Sequence, residues 1–224
     1  MPQKNIGLLF HGIGTPGRQL EPGEAPYWIS AAQFEHVLDR ICAAPQPDLF
    51  RISFDDGNLS DHDIALPLLL ERGLRADFFV LSGRIDTPGS LGEGHIRALQ
   101  AAGMAIGSHG VAHRDWRGLD PAALRAELTD SRAVLEAICG HAITTAGIPF
   151  GGYDARVLRA LRQAGYTTAY SSDRGTMNPH AFLRPRTSIQ GAMQPADVAA
   201  ILAGQMPLFK RVRRMLGMAR RRVG

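Results

Sequence analysis

The chain has 224 residues, and 45% of them are hydrophobic, so it is suited to one domain with a substantial core rather than to a disordered chain. The net charge of +4 comes from the C-terminal end, because the seven Lys and Arg residues after Asp197 exceed it and leave the remainder net negative. A net-negative body argues against a nucleic-acid-binding domain, and two cysteines without metal-ligand spacing exclude a disulfide framework.

Short apolar segments with the character of strands follow one another along the chain, with helical patterns between them. The predicted strands are residues 6–10, 49–54, 76–81, 104–107, 143–148, 167–171 and 182–189. Strands that alternate with helices predict βαβ units and a parallel sheet or barrel. In such folds, functional groups gather at the C-terminal ends of the strands.

The helices are predicted from their capping residues. Ser30, with Gln33 at capping-box spacing, opens a helix that runs to about residue 43. Ser60 is the predicted N-cap of the next helix, which Pro67 is expected to kink. Further helices are predicted at 94–102, from an N-cap at residue 120 to a stop at residue 140, and at 154–163 and 195–203.

Two adjacent carboxylates, Asp55 and Asp56, end the second predicted strand in the sequence SFDDG. If both were ionised without partners, their repulsion and partial desolvation would raise the pKa of one of them. Either water solvates the pair on a loop, or a positive group lies between them.

A second strand end carries His109 and His113 in the sequence SHGVAH. Gly107 and Gly110 argue against a regular helix here, so a tight loop is expected to bring the two imidazoles together. Two histidines and a carboxylate suit Zn²⁺, Co²⁺ or Fe²⁺ with positions left for water and substrate. The other carboxylate is then free to accept a proton from an attacking water. The alternative is a solvated Asp pair and a chance His pair.

Four segments in this order resemble the polysaccharide deacetylase family, the NodB-homology domain. LLFHGI is similar to the family's opening segment, SFDDG to its TFDDG, SHGVAH to its H-x-x-x-H, and PFGGYD to its P-[YF]-G-x-Y-D subgroup motif. The resemblance covers residues 6–189. It implies a distorted (β/α) barrel with fewer than eight strands, with residues 1–205 as one catalytic domain, and metal-dependent hydrolysis of an N-acyl group on an amino sugar.

The resemblance also implies roles for individual residues. Asp55 would be the general base, while Asp56, His109 and His113 would bind a divalent metal. Zinc is the first expectation for that metal, with Co, Fe, Mn or Ni as alternatives. The backbone N–H of Phe150 would stabilise the tetrahedral oxyanion.

Two family features have no counterpart at the expected positions. The segment before PFGG lacks the arginine that pairs with the catalytic base, and the late strand FLRPRTSIQ lacks the histidine that serves as general acid. Arg184 or Arg186 is the candidate for the missing charge, with Asp173 to orient one of them, although surface arginines are the alternative. His11 is the substitute candidate for the acid, with a structural histidine in the barrel mouth as the alternative.

The tail, residues 206–224, carries apolar residues at helical spacing surrounded by basic ones. It is predicted either to lie on anionic lipid or to pack its apolar stripe on the barrel. No segment has the length of a signal or membrane-spanning sequence, so the expected location is cytoplasmic, with contact to the inner face of the membrane if the tail binds lipid.

Two other functions stay open beside N-deacetylation of an amino sugar or glycan precursor. One is hydrolysis of another non-peptide carbon–nitrogen bond, in a formamide, ureide or imide. The other is a catalytically silent module that binds metal or carbohydrate. The sequence indicates no nucleic-acid partner and leaves the oligomeric state open.

Overall fold

The computed structural model describes residues 5–205, 217–219 and 221. Its strands are β1 (Asn5–Phe10), β2 (Gly12–Ile13), β3 (Trp28–Ile29), β4 (Phe50–Asp56), β5 (Ala76–Val80), β6 (Ala105–Ser108), β7 (Thr145–Gly147), β8 (Thr168–Ser171), β9 (Thr176–Met177), β10 (Leu183–Pro185) and β11 (Thr187–Ser188). Its α-helices are α1 (Ala31–Cys42), α2 (Leu66–Glu71), α3 (Glu93–Ala101), α4 (Pro121–Cys139), α5 (Ala155–Gln163) and α6 (Pro195–Leu202).

The main sheet is parallel along its whole path, in the order β10-β8-β7-β6-β5-β4-β1-β11. Its two outermost strands, β10 and β11, are parts of the single predicted strand 182–189 and are separated only by Arg186. Because β10 pairs with β8 and β11 pairs with β1, this interrupted segment joins both edges of the sheet. The prediction of a distorted (β/α) barrel is confirmed, with seven chain segments forming the wall.

The alternation of side chains along β4 explains how one strand serves both the core and the site. Phe54 is buried in an aromatic cluster outside the barrel, 4.7 Å from Phe78 and 5.4 Å from Phe10 between ring centroids. Because successive side chains in a strand point to opposite faces, Ser53 and Asp55 face the barrel interior. The apolar packing of Phe54 therefore fixes the direction of the neighbouring carboxylate.

Most predicted helix ends are confirmed, and one is wrong. Ser30, Asp120 and Asp154 accept hydrogen bonds from backbone N–H groups in the first turns of α1, α4 and α5. Ser60 makes no such cap. Its buried hydroxyl oxygen instead accepts from the N–H of Ile13 at 3.2 Å, because that strand N–H needs a partner.

A long excursion between β2 and β3, residues 14–27, reaches the barrel mouth and is called the mouth loop below. Buried Glu24 organises it by accepting from the guanidinium of Arg18, from the indole N–H of Trp28 at 3.2 Å and from the N–H of Glu21 at 2.8 Å. Arg18 also donates to the side-chain oxygen of Asn58 at 2.9 Å, just beyond the end of β4. The mouth loop is thereby attached to the strand that carries the two aspartates.

Candidate active site

The carboxylates and histidines singled out in the sequence meet at the C-terminal end of the barrel. Asp55 and Asp56 end β4, and His109 and His113 follow β6. They line a cavity of about 290 Å³. The other residues that line it are Leu9, His11, Glu21, Pro22, Gly23, Glu24, Tyr27, Ile148, Phe150, Gly151, Ser172 and Ser188.

Asp56, His109 and His113 form a compact cluster of potential metal ligands. Oδ1 of Asp56 lies 3.5 Å from Nε2 of both histidines, and it is buried without a hydrogen-bond donor in the described part of the chain. Ligand atoms about 2.1 Å from a tetrahedral Zn²⁺ are roughly 3.4 Å apart, which is close to this spacing. The donor set and its spacing therefore fit a divalent metal.

Both histidines are oriented through their second ring nitrogen. Nδ1 of His109 lies 2.9 Å from the carbonyl oxygen of Gly147 and must donate to it, because a carbonyl only accepts. Nδ1 of His113 lies 2.6 Å from Oε2 of Glu21. Burial lowers the pKa of His109, partly offset by the charges of Asp55 and Asp56. A neutral imidazole with a free Nε2 lone pair is the form that binds a metal.

Asp55 has a different partner from Asp56. Arg186, which is 1% exposed, donates to Oδ1 of Asp55 at 2.7 Å and to Oδ2 at 2.8 Å. The same guanidinium donates to the hydroxyl of Ser53 at 3.1 Å. Burial raises the pKa of Asp55, but the charge of Arg186 and the nearby histidines outweighs it and holds the pKa below its usual value. The two adjacent carboxylates therefore have different electrostatic partners.

His11 and Phe150 both line the cavity. The ring of His11 lies 4.8 Å from that of Tyr27, and its buried Nδ1 has no hydrogen-bond partner among the residues described. Phe150 has a φ of 56°, is 62% exposed and places its ring 4.3 Å from that of His113. It belongs to a single 3-10 turn, so its N–H has no acceptor within that turn.

Arg184 and Asp173 do not join the cavity. Arg184 donates to the carbonyl of Ala181 at 3.0 Å and pairs with Tyr170 across the sheet. It lies in β10, two residues before Arg186. Asp173 does not orient either arginine, which corrects that part of the prediction. It accepts instead from the hydroxyls of Tyr153 at 2.8 Å and Ser171 at 2.7 Å, and from Arg221.

Glu21 and Ser53 contact site residues but were not among the predicted ones. Ser53 is part of SFDDG, and its side-chain direction follows from strand alternation. Glu21 had no signal in the sequence, because it lies in an irregular loop 92 residues before its partner His113. Long-range contacts of this kind depend on the closed barrel.

A parallel barrel with a His-and-carboxylate cluster beside a buried, charged carboxylate is typical of metal-assisted hydrolases. The family model described as polysaccharide deacetylase matches residues 43–169, more than half of the chain. The chain therefore belongs to the polysaccharide deacetylase family, which confirms the predicted resemblance. Family membership also supports the prediction of a hydrolase of carbon–nitrogen bonds other than peptide bonds.

Curated relatives and solved structures agree with this assignment. A provisionally named polysaccharide deacetylase of Bacillus subtilis, YxkH, is 27% identical over 78% of this chain and 66% of its own length. A chitin deacetylase of a Pestalotiopsis species is 32% identical over 56% of this chain and 42% of its own length. The chain thus spans two thirds or less of each of these relatives.

Two solved structures are similar over nearly the whole chain. The Streptococcus pyogenes deacetylase PplD, in complex with acetate, has a TM-score of 0.77 at 18% identity and covers 92% of this chain and all of its own. IcaB from Ammonifex degensii has a TM-score of 0.73 at 20% identity, covering 91% of this chain and 98% of its own. At these identities the likeness establishes the NodB-type fold.

Within the described ranges, no helix is long and apolar enough to cross a bilayer.

Proposed function

We propose that this protein is a metal-dependent hydrolase that removes an N-acyl group, acetyl in the first instance, from an amino sugar in a polysaccharide or glycan precursor. The observation that carries the proposal is that two groups of different chemistry lie side by side at one barrel mouth. A cluster of three potential metal ligands lies beside a carboxylate that Arg186 keeps ionised. The relatives named as deacetylases support the acyl group and the sugar class.

Asp56, His109 and His113 are the residues that would hold the metal. Their one carboxylate and two imidazoles suit zinc first, with Co, Fe, Mn or Ni as alternatives. A bound divalent metal supplies Lewis acidity, which polarises an acyl carbonyl and lowers the pKa of a water molecule.

Asp55 is the general base in this proposal. Its carboxylate borders the ligand cluster, with Oδ2 3.9 Å from Nε2 of His109. The bidentate contact with Arg186 fixes its orientation and keeps it unprotonated, so that it can accept a proton from the attacking water. Ser53 also holds the guanidinium, because its hydroxyl accepts from the same Nη1 that donates to Asp55 and itself donates to the carbonyl of Leu8 at 2.9 Å.

Phe150 and His11 act on the other parts of the substrate. The N–H of Phe150 donates to the oxyanion that forms at the acyl carbon. His11 protonates the departing amine, which must leave as a neutral or cationic amine rather than an anion. Both residues line the same cavity as the base and the ligand cluster.

The tail is proposed to pack on the catalytic domain of residues 1–205. Met218 is buried, and Arg221 is ion-paired with Asp173 and lies 4.8 Å from the ring centroid of Tyr153. The rest of the tail lies outside the described residues, so lipid binding by its basic face stays a prediction. Co-sedimentation with anionic liposomes tests it, and binding unchanged by deletion of 206–224 would contradict it. The cytoplasmic location also stays a prediction.

The function is tested by two measurements on one purified sample. Metal content by mass spectrometry should give about one divalent ion per chain, as expected for a single three-ligand site. Acetate release from a panel of N-acetylated amino sugars should require that ion, with metal-depleted protein as control. Metal without release would favour another carbon–nitrogen substrate or a silent binding module. Failure to bind added Zn²⁺ or Co²⁺ would contradict the proposal at its basis.

A further inference from the structure

A carboxylate from the mouth loop contacts the ligand cluster from outside. Oε2 of Glu21 lies 2.6 Å from Nδ1 of His113, although the two residues are 92 positions apart. Glu21 belongs to none of the motifs of the barrel strands. It is 39% exposed at the side chain and lines the cavity, whereas the His113 side chain is 11% exposed.

The geometry shows that Glu21 is not one of the metal ligands. The two nitrogens of an imidazole point in different directions, and Nε2 of His113 is the one that faces Asp56, at 3.5 Å. A carboxylate at Nδ1 therefore lies on the side of the ring away from the cluster. Because a carboxylate accepts, Nδ1 carries a proton, and Nε2 is the nitrogen left to bind a metal.

Glu21 is held in this position by contacts from inside and outside the mouth loop. Its second oxygen accepts from the guanidinium of Arg84, which follows β5. Its backbone N–H donates to buried Glu24 at 2.8 Å, and Glu24 is itself paired with Arg18. A side chain held at both its carboxylate and its backbone loses little entropy when it orients a partner.

The two histidines differ in what orients them. Nδ1 of His109 donates to the carbonyl of Gly147, a backbone group at the end of β7 that the barrel itself fixes. His113 depends on a side chain from a loop, and its own backbone has a φ of 49°, which is unusual for a residue other than glycine. His113 is thus the ligand whose orientation depends on a replaceable group.

We propose that Glu21 is a positioning residue, which fixes the tautomer and orientation of His113 and so couples metal affinity to the mouth loop. The inference rests on the proposed metal site. Hydrogen bonds from a ligand histidine to a carboxylate raise the basicity of the ligand nitrogen. Glu21 does not touch the reacting atoms in this role.

The first test measures Zn²⁺ affinity by competition with a chelator. Glu21→Ala should bind Zn²⁺ about 10–100-fold more weakly than the wild type, as is typical when such a partner is removed. Glu21→Gln should lose less, because its amide oxygen still accepts from Nδ1. Glu93→Gln is the matched control, since it removes a carboxylate–arginine pair with Arg97 outside the cavity, and its affinity should equal the wild-type value.

The second test does not need metal. At a pH high enough for the ring to be neutral, the ¹⁵N shifts of His113 in the metal-free wild type should show the Nδ1–H tautomer, and Glu21→Ala should shift the proton towards Nε2. Unchanged shifts would overturn the inference even if the metal site fails. If the wild type binds Zn²⁺ and Glu21→Ala binds it as tightly, the positioning role is wrong. A higher KM with unchanged affinity would instead make Glu21 a substrate contact, which also overturns it.

Discussion

The two sides of the barrel mouth supply different parts of the site. One side, the ends of β4 and β6, carries Asp55, Asp56, His109 and His113 within two short motifs. The opposite side is the interrupted segment of β10 and β11, which contributes Arg186 at the point where the strand is broken. The first side provides the two carboxylates and the potential metal ligands, and the second provides the positive charge that pairs with only one of the carboxylates.

This difference shows why a pair of adjacent carboxylates is stable inside a barrel. Asp55 is neutralised by a buried guanidinium that arrives from a distant part of the chain, whereas Asp56 faces two imidazoles. A strand end anywhere around the barrel points to the same central space, so the compensating charge is not tied to one position in the sequence. The family arginine missing before PFGG is replaced from the strand that closes the barrel.

The largest expected effect comes from removing the two acids separately. Asp56→Ala should lose both bound metal and hydrolysis, because it removes a ligand. Asp55→Asn should keep the metal and lose about 10²–10⁴-fold in turnover, the usual contribution of a general base. Metal content and acetate release measured on both variants check this. Full activity of Asp55→Asn would show that Asp55 is not the base.

Breaking the ion pair from the closing side should mainly affect stability. Arg186→Met leaves Asp55 buried and unpaired, so the free energy of unfolding should fall by roughly 3–5 kcal/mol. The double variant Asp55→Asn/Arg186→Met should recover part of that loss, since it also removes the unpaired charge of Asp55. Urea denaturation of the wild type, the two single variants and the double variant measures the coupling. Additive effects would contradict a direct interaction. Arg184→Met is the control on the same segment and should lose less.

His11 lines the cavity between the two sides and is the proposed general acid. His11→Gln should lower turnover by about 10²-fold or more, as expected for loss of a general acid. Bound metal should be unchanged, because His11 is not in the ligand cluster. Turnover close to wild type, with metal retained, would leave His11 only a structural role beside Tyr27.

The smallest expected effect is on acid stability. The folded-state pKa of Asp55 lies below its ordinary value of 3.8, because Arg186 outweighs burial. The folded state therefore binds fewer protons than the unfolded state, so the contribution of the pair is present above about pH 3.8 and is lost as the pH falls through the folded-state pKa. Unfolding free energies between pH 5 and pH 3 should fall less steeply for Asp55→Asn/Arg186→Met than for the wild type. Equal slopes would contradict this.

The sequence motifs are sufficient to predict which residues form the cluster and that Asp55 lies beside it. Asp56, His109 and His113 form one cluster because parallel strands end at the same edge, which strand–helix alternation already predicts. The direction of Asp55 likewise follows from the pleat of β4 and the apolar packing of Phe54. The sequence does not distinguish Arg184 from Arg186, because both lie on the same short segment and have the same chemistry.

Sequence by itself thus determined the class of fold, the ligand cluster and the neighbouring acid, since these depend on local periodicity and on strand ends that any parallel barrel brings together. Tertiary structure decided which arginine reaches Asp55, that Asp173 pairs with Arg221, and that Glu21 contacts His113. Those contacts join segments far apart in the chain. Their partners are set by the closure of the barrel and the path of the mouth loop, and neither leaves a periodic pattern in the sequence.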